Sequence, residues 1–437
     1  MSERQRFALT NQETGLPMAN HQVRLYAEDG WEATVTSDEH GLTPWVDYPL
    51  PLSCLPLNGP SATALRTAAQ LADQLIECFT RPDGRVASLT GLPALPGNLL
   101  MKGGPEDYIG AVLCLRGTLY FKEAHTPLVR EALCQCFDEF RHLAEPHLTW
   151  LWREEPPQGK PLTAYGDAKS LREMMGAMDE DDHLSFCYTS GKQSRDASAW
   201  VFDVYGKRGW QARIGRDLSV LEFSIPLLYQ EQQPLDFLRL FLGFARRLNP
   251  EQGYVSYAFN LSPTSQSSNE PTEAFMAARM PELDVGTAAL LANRPQFKQP
   301  KIKTISWLTL LDQERLDLAG GLEALRAQLP SSHFAFYDYG NGVVIQAGAY
   351  PYLGGDAEDP KPAAYVLLNH VLKGIRYETV GSLHGGSHDG ELRLVGWSAD
   401  QWLKRLDVTE SEIPAWRAKL LANEPALSAA NTLPERL

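Results

Sequence analysis

The stretch that decides the fold is KIKTISWLTLLDQERLDLAGGLEALRAQLPSSHFAFYDYGNGVVIQAGAYPYLGG, which spans Lys301–Gly355. Apolar residues alternate with polar ones over Thr304–Leu311 and recur at helical spacing over Leu322–Leu329. Alternation returns over His333–Tyr337 and Val343–Ala347, which flank a glycine-containing turn. Period-two alternation indicates strands, and a spacing of three to four indicates an amphipathic helix. The stretch therefore predicts a strand, a helix and a β-hairpin.

The same patterns continue on both sides of this stretch. The predicted strands are Ile109–Phe121, Leu148–Trp152, Leu184–Thr189, Ala199–Tyr205, Ser219–Ile225 and Gly253–Phe259. The predicted helices are Pro127–Ala144, Ala168–Met178, Leu235–Leu248, Ala363–Leu372 and Ala399–Leu406. Irregular alternation of helices and strands, with antiparallel hairpins, favours an α+β fold over a doubly wound parallel sheet. We expect a mixed α+β body over residues 108–410, and the pattern allows its division into two ferredoxin-like halves.

Segments of low apolar content predict irregular structure. SPTSQSSNEP at 262–271 predicts a polar loop ahead of a short helix, Thr272–Met280. The glycine-rich GSLHGGSHDG at 381–390 predicts an exposed surface loop, followed by a last strand at Glu391–Gly396. Residues 411–437 are expected to form a C-terminal tail, of which residues 424–437 are expected to be loosely held.

Residues 1–57 have the short alternating segments and the Asp29-Gly30 turn that are typical of a small β-sandwich-like module. A Pro-rich linker begins near residue 49, and residues 58–107 are predicted to hold this linker and an amphipathic helix over Ala62–Phe79. The turns at Thr14-Gly15-Leu16-Pro17, Asp29-Gly30 and Thr36 to Thr43 resemble those of transthyretin-like β domains attached to type VI secretion spike proteins and their cargo.

The composition restricts the classes of partner. The chain has 437 residues and a net charge of −14, and a direct nucleic-acid ligand would instead require clustered Lys and Arg. The acidity suits a basic partner. No apolar run is long enough to cross a membrane, and no signal-peptide pattern occurs, so we expect a cytoplasmic protein without membrane contact. The six cysteines lack zinc-site spacing and are expected to be free thiols.

No pattern for a catalytic, metal or cofactor site stands out. His384 and His388 have the spacing of a helical metal pair, but the neighbouring glycines argue against a helix there. Neither a nucleophile elbow nor a phosphate-binding glycine loop is present. We therefore predict a protein that is not an enzyme and has no metal or cofactor, with a hydrolase that uses either histidine as the alternative.

Two groups of residues are candidates for partner binding. The first is the densest cluster of negative charge in the chain, Asp179, Glu180, Asp181 and Asp182, to which Glu154 and Glu155 add. Such a run is a solvated turn, a docking patch for a basic protein or, as a third alternative, a metal site. The second consists of Tyr337 and Tyr339, which either belong to the core or anchor an interface.

The order of landmarks from residue 108 to residue 406 resembles that of the type VI secretion immunity proteins paired with VRR-NUC nuclease effectors. Those landmarks are GAVLCLRG at 110–117, GYVSYAF at 253–259, SWLTLL at 306–311, GG at 320–321 and YGNGVVIQAG at 339–348. The resemblance implies a cytoplasmic protein that binds a toxic nuclease and blocks its DNA and metal site. It transfers no catalytic residue, and it leaves the oligomeric state open. Because of the N-terminal module, an adaptor or chaperone that loads an effector onto the secretion spike is the alternative.

Overall fold

The computed structural model describes residues 3–9, 18, 20–56, 101–102, 108–154, 162–215, 217–278, 280–353, 361–385, 393–423 and 425–435. Several predicted features lie outside these residues, namely the helix Ala62–Phe79, Cys78, Glu155 and His388.

The described residues form both strands and helices, which confirms the predicted α+β fold class. The strands are β1 (Glu3–Gln5), β2 (Gln22–Tyr26), β3 (Glu32–Thr36), β4 (Val46–Tyr48), β5 (Ser53–Pro56), β6 (Met101–Lys102), β7 (Tyr108–Ile109), β8 (Ala111–Phe121), β9 (Trp150–Trp152), β10 (Leu162–Ala164), β11 (Leu184–Thr189), β12 (Val201–Gly206), β13 (Ser219–Ile225), β14 (Gln252–Leu261), β15 (Leu308–Asp312), β16 (Phe334–Asp338) and β17 (Gly342–Ala347). The helices are α1 (Pro127–Ala144), α2 (Leu171–Gly176), α3 (Gly209–Arg213), α4 (Leu227–Gln232), α5 (Asp236–Leu248), α6 (Gln266–Ala277), α7 (Ala288–Ala292), α8 (Gln313–Leu318), α9 (Leu322–Gln328), α10 (Ala363–Leu372), α11 (Trp397–Leu403) and α12 (Ile413–Ala422).

One ten-stranded antiparallel sheet organises the body of the chain. Its strand order is β10-β9-β11-β12-β13-β8-β14-β15-β17-β16. The two longest strands, β8 and β14, pair along ten residues near its centre. They join an N-terminal group of strands to the hairpin of the Lys301–Gly355 stretch. The sheet is continuous across both groups, so the two ferredoxin-like halves that the pattern allowed are not separate sheets.

Two helices cover one face of the sheet because their apolar stripes match the apolar face of the strands. Thr126 caps α1, its hydroxyl accepting from the Val129 amide, and Pro127 occupies the first helical turn. Aromatic rings join this helix and α5 to the sheet: Phe137 stacks on Tyr188 at 4.2 Å, and Phe244 meets Phe223 edge-on at 4.7 Å. This face holds the main core and leaves the opposite face over β9 to β13 free to carry polar groups.

The Lys301–Gly355 stretch forms the predicted hairpin as β16 and β17. Trp307 is fully buried just before β15, and its indole N–H donates to the Gly348 carbonyl at 3.2 Å. The sequence pattern did not predict α8. Asp312, the last residue of β15, caps this helix by accepting from the Arg315 amide at 2.9 Å.

Three predictions about irregular segments are wrong. Residues 266–271 of the predicted loop belong to α6, even though Pro271 lies within the helix, whereas the helix predicted from Thr272 forms the second half of α6. The strand expected at Glu391–Gly396 is absent from its described part, residues 393–396, where Val395 forms a single bridge to Ser382. The end of the C-terminal tail, residues 424–437, is not loosely held either in its described part. The carbonyl of the buried Asn431 accepts from Gln346, and the Glu435 carbonyl accepts from the Asp338 amide along β16.

The N-terminal segment has a small core of its own, formed by Leu9, Met18, Val23 and Leu25. A two-stranded sheet, β1-β4, and a three-stranded sheet, β3-β2-β5, surround it. The predicted Pro-rich linker from residue 49 therefore begins within the module, since β5 pairs with β2. Tyr26 stacks on Trp397 with ring centres 5.1 Å apart, which connects the module to α11. The predicted boundaries at 57, 107 and 410 remain predictions.

The packing of β8 against α5 generates the first testable prediction. A Cβ atom added at Gly117 would lie 2.8 Å from the Phe223 ring, closer than core packing tolerates. We expect Gly117→Ala to lower the free energy of unfolding by about 1–3 kcal/mol, as measured by urea denaturation. Gly176→Ala is the control because nothing lies within 4 Å of the corresponding Cβ position. Equal effects of the two substitutions would contradict this packing.

Candidate functional site

A polar cleft occupies the face of the sheet opposite α1 and α5. Its volume is about 790 Å³, within the range that ligand-binding clefts commonly have. The floor is made by outward-facing side chains of β9, β11, β12, β13 and β8, and residues 286–289 before and within α7 form part of the wall. The side chains of this floor are mostly polar, unlike those on the helix-covered face.

The sheet register places four cleft residues in one row across adjacent strands. Trp152 of β9 is directly opposite Cys187 of β11, Cys187 is opposite Asp203 of β12, and Asp203 is opposite Glu222 of β13. Side chains that are opposite each other in an antiparallel sheet have Cβ atoms about 5 Å apart, and like charges in such pairs are unfavourable. The Asp203–Glu222 pair is therefore an electrostatic cost that is built into the sheet.

Burial in the cleft changes the titration of these two carboxyl groups. It raises the pKa of Asp203 to about 7, and the negative charges of Glu222 and Glu154 add to this effect. Burial also raises the pKa of Glu222, although Arg116 lies only 3.4 Å away and opposes the change. Among the described residues, Asp203 has neither a hydrogen-bond nor an ion-pair partner. Its carboxyl group is thus available to a ligand.

A buried ion network lies under the cleft floor. Arg116 donates to the Asp284 carboxylate at 2.9 Å and to the Phe259 carbonyl at 3.2 Å. Lys303 donates to the other Asp284 oxygen at 2.6 Å and to the Val285 carbonyl at 2.6 Å. Both cations therefore have close partners within the network. Desolvation lowers the pKa of Lys303, which Asp284 partly counteracts.

The acidic run predicted from the sequence forms an exposed turn between α2 and β11. Arg213 pairs with Glu180 and Asp181, which neutralises part of its charge. Asp181 also accepts from the Trp210 amide at the start of α3. Asp179 and Asp182 accept amide hydrogen bonds within the turn. The run is thus both a structured turn and a negative surface, so the turn and docking interpretations both keep support.

Glu154 lies at the mouth of the cleft, next to the acidic run. Its side chain is 72% exposed and lies 3.8 Å from His183, the residue that follows Asp182. The His183 ring in turn contacts Tyr205 of the cleft edge-on at 5.4 Å. The structure therefore places Glu154 in the lining of the cleft and residues 179–182 outside that lining, next to His183. Glu155, the remaining carboxylate of the prediction, lies outside the described residues.

The two tyrosines predicted as interface anchors lie in the core. Tyr337 is fully buried and donates to Gln346 at 2.6 Å, and Tyr339 is buried and donates to the Pro250 carbonyl at 2.9 Å. The backbone N–H of Leu433, in the C-terminal tail, also donates to the Tyr337 hydroxyl. The interface interpretation of Tyr337 and Tyr339 is therefore wrong, and the core interpretation is correct.

His384 is buried, which corrects the prediction of an exposed glycine-rich loop at its position. Its Nδ1 accepts from the Leu394 amide at 3.0 Å, so Nε2 carries the hydrogen that it donates to Glu273 at 2.8 Å. Glu273 also accepts from the Gly286 amide at 2.9 Å. These bonds attach the loop to α6. His388, the second histidine of the proposed pair, is outside the described residues.

The described residues contain no group of three or more His, Cys, Asp or Glu side chains that could hold a metal ion. The five described cysteines are free thiols. Burial raises the pKa of Cys187, whose thiol lies in the cleft row, so the reactive thiolate form is disfavoured. No described helix is long and apolar enough to span a membrane.

Comparison with known proteins identifies the family. The family model for type VI immunity for VRR-NUC, named TsiV, matches residues 132–406. The chain belongs to this family. A solved structure of the Pseudomonas aeruginosa T6SS protein PA0821 is 79% identical, with a TM-score of 0.75. That match covers 80% of this chain and 98% of that chain. No curated protein matches the chain.

Membership in the TsiV family confirms the immunity function that the sequence landmarks indicated. The matched range contains the cleft row, the acidic run and most of the ten-stranded sheet. The partner is accordingly the cognate VRR-NUC nuclease effector of the type VI system. The resemblance of residues 5–57 to transthyretin-like domains remains a prediction.

Sequence reasoning missed Asp203 and Glu222, although a signal for both was present. Each is a carboxylate in the interior of a strand that was predicted correctly, VFDVYG and SVLEFSI. Charged residues are depleted in strand interiors, so a charge there indicates a polar face or a site. The sequence could not predict that the two residues are directly opposite each other, because that depends on the register between β12 and β13.

The raised Asp203 pKa generates a pH-dependent prediction. The folded chain binds this proton more tightly than the unfolded chain, whose aspartates titrate near the ordinary value of 3.8. Stability from this group is therefore lost as the pH rises from about 4 to about 7, and it stays lost at higher pH. We expect Asp203→Asn to raise the free energy of unfolding by about 1–3 kcal/mol near pH 8.5, with little change near pH 4.

Urea unfolding at the two pH values measures this effect. Ser185→Ala, which changes a neutral neighbour in the same cleft, should shift stability equally at both pH values. A stability gain for Asp203→Asn that is the same at both pH values would contradict the assigned protonation.

Proposed function

We propose that this immunity protein neutralises its nuclease by forming a stoichiometric complex that covers the effector's DNA-binding and metal-binding surface. The supporting observation is the acidic cleft, in which Asp203 and Glu222 face each other with Glu154 at the mouth. A nuclease must hold DNA phosphates with Lys and Arg side chains, so its working surface is positive. An acidic cleft with an acidic run on the nearby surface is complementary to such a surface.

The exposed carboxylates at the edge of the cleft are suited to guiding the encounter. Charges at the rim of an interface mainly change the association rate, whereas buried contacts determine how long the complex lasts. The net charge of −14 adds a long-range attraction to a cationic partner. The neighbouring helix α3 carries Trp210, which is 41% exposed, and Ile214, which follows the helix, is 58% exposed. Tryptophan is enriched among interface residues that contribute most to binding.

Inhibition by binding requires no chemistry of the immunity protein itself. Among the described cleft residues, burial disfavours the thiolate of Cys187, which makes this thiol a poor nucleophile. We propose that the protein acts in the cytoplasm, where an incoming nuclease would meet the chromosome. Its action there would protect the producing cell and its kin.

Titration of nuclease activity tests the stoichiometric mechanism. We expect DNA cleavage by the purified effector to fall linearly with added immunity protein and to stop at a fixed molar ratio. Excess DNA added before the immunity protein should slow complex formation, because the two compete for one surface. Continued loss of nuclease activity at substoichiometric amounts would indicate an enzyme. Simultaneous binding of DNA and immunity protein would rule out occlusion of the DNA site.

The exposed carboxylates of Glu154 and the acidic run lead to a kinetic prediction. The variant Glu154→Gln, Asp179→Asn, Asp182→Asn removes three negative charges and keeps hydrogen-bond acceptors at each position. We expect it to associate with the effector about threefold to tenfold more slowly at low salt, measured by stopped-flow or biosensor kinetics. The difference should shrink as the ionic strength rises, because salt screens exposed charges.

A matched control separates local from global charge. The variant Glu314→Gln, Glu323→Gln, Glu410→Gln removes the same amount of charge from exposed positions outside the cleft. Its association rate should stay within about twofold of the wild-type rate. Equal slowing by the two variants would show that the net charge of the chain guides the encounter, and that the position of Glu154, Asp179 and Asp182 does not matter.

The N-terminal module supports a separate, second role as an adaptor for the secretion spike. Its separate core of Leu9, Met18, Val23 and Leu25 indicates that the body does not depend on it for packing. We expect a chain that lacks residues 1–57 to neutralise the nuclease at the wild-type molar ratio. A secretion assay should reveal any adaptor function that is lost. Loss of neutralisation on deletion would place the module within the inhibitory surface instead.

A further inference from the structure

We propose that the row formed by Trp152, Asp203 and Glu222 in the cleft is an anchor pocket for an arginine side chain of the effector. This inference rests on the proposed function and specifies the chemistry of its central contact. It concerns the interior of the cleft, whereas Glu154 lies at its mouth and the acidic run lies outside its lining.

The first support is the imbalance of charge inside the cleft. Asp203 and Glu222 line the cleft, whereas Asp284 lies beneath it and binds two cations. Arg116 and Lys303 both bind Asp284, and Arg116 also lies 3.4 Å from Glu222. Asp203 has no ion-pair partner among the described residues. One further cation in the cleft would complete the pairing.

The second support is the geometry of the carboxylates, which favours a guanidinium group over an ammonium group. Asp203 and Glu222 are directly opposite on neighbouring strands, with Cβ atoms about 5 Å apart. A guanidinium has five N–H donors in a planar fork and can bind both carboxylates through different edges. A lysine ammonium is a compact, strongly hydrated charge that gains less from two fixed acceptors.

The third support is the aromatic wall at the end of the row. Trp152 follows Asp203 and Cys187 in the register, and its indole N–H donates to the Ser194 carbonyl at 2.9 Å, which fixes the ring. Indole faces attract guanidinium groups, and the attraction grows when water is excluded. Cys187 separates this ring from Asp203 in the row, so Trp152 forms an aromatic end wall two strands away from that carboxylate.

The cleft also contains a buried acceptor that has no partner. Thr189 is 2% exposed and lines the cleft, and its hydroxyl has no hydrogen-bond partner within the described part of the chain. Thr189 follows Cys187 by two residues on β11, so both side chains lie on the same face. A buried hydroxyl without a partner costs free energy, and a ligand donor inside the cleft would satisfy it.

Effector binding by single-residue variants tests the pocket. We expect Asp203→Asn to weaken the affinity for the effector at least about tenfold at pH 8, measured by isothermal titration calorimetry. Asp203→Glu, which keeps the charge, should recover part of the loss. Glu410→Gln removes one exposed carboxylate outside the cleft and should bind within about twofold of wild type. Wild-type affinity of Asp203→Asn would overturn the proposal, because the fold is expected to tolerate this substitution.

A second experiment tests the preference for arginine directly. N-acetyl-arginine amide and N-acetyl-lysine amide are added as competitors to the full-length immunity protein and its effector. We expect the arginine derivative to displace the effector at concentrations about fivefold or more below those of the lysine derivative. The complex of Asp203→Asn should lose this difference. Equal competition by both derivatives, or none by either, would overturn the arginine pocket.

Failure of this inference is distinguishable from failure of the proposed function. If the pocket is wrong, the wild-type protein still inhibits the nuclease at a fixed molar ratio and still competes with DNA. If the proposed function is wrong, that fixed ratio or that competition is lost for the wild-type protein itself.

Discussion

The ion network of Arg116, Asp284 and Lys303 is the constraint on which the rest of the structure depends. It lies where β8 and β14 pair at the centre of the sheet, and Arg116 joins β8 to the Phe259 carbonyl of β14. Charges this deeply buried are tolerated only when they are paired and hydrogen-bonded. Asp284 satisfies both cations, so the segment after α6 is fixed against the sheet. That segment leads into the wall of the cleft.

The network also explains why the cleft is acidic. Because Arg116 and Lys303 are both engaged by Asp284, little positive charge remains for the next residues along the sheet. Glu222 receives part of the Arg116 charge, and Asp203, one strand further away, receives no direct contact among the described residues. The negative character of the cleft is thus a consequence of where the cations are bound, and the net charge of the chain alone does not determine it.

The sequence was sufficient for elements whose local pattern and tertiary environment agree. β11 and β13 lie where the alternation of apolar and polar residues predicts them. Helix α1 begins at Pro127, as the sequence predicts, and Thr126 caps it. The sequence pattern failed for residues 266–271 of α6, whose polar composition suggested a loop. Glu270 in this part, and Glu273 one turn later, are buried and accept bonds from the Gly385 and Gly286 amides. Those contacts come from distant parts of the chain, so no local pattern contains them.

The site was harder to predict than the fold for the same reason. Tyr337 and Tyr339 suggested exposed aromatic anchors, but the C-terminal tail and the carbonyl of Pro250 cover them, and neither contact is local in sequence. The acidic run was visible because its charges are consecutive. The Asp203–Glu222 pair arises only when two strands align, and a shift of one residue in register would point one carboxylate to the other face.

The opposition of Asp203 and Glu222 is most simply understood as a cost that is retained for binding. A sheet that served only as a scaffold would be more stable with a neutral residue at either position, since like charges directly opposite each other oppose folding. Residues that lower stability where no packing contact compensates are characteristic of functional sites. A cation supplied by a partner removes the repulsion, so part of the binding free energy is relief of strain already present in the free protein. Such a cleft distinguishes a basic partner from a neutral one before any detailed shape complementarity is formed.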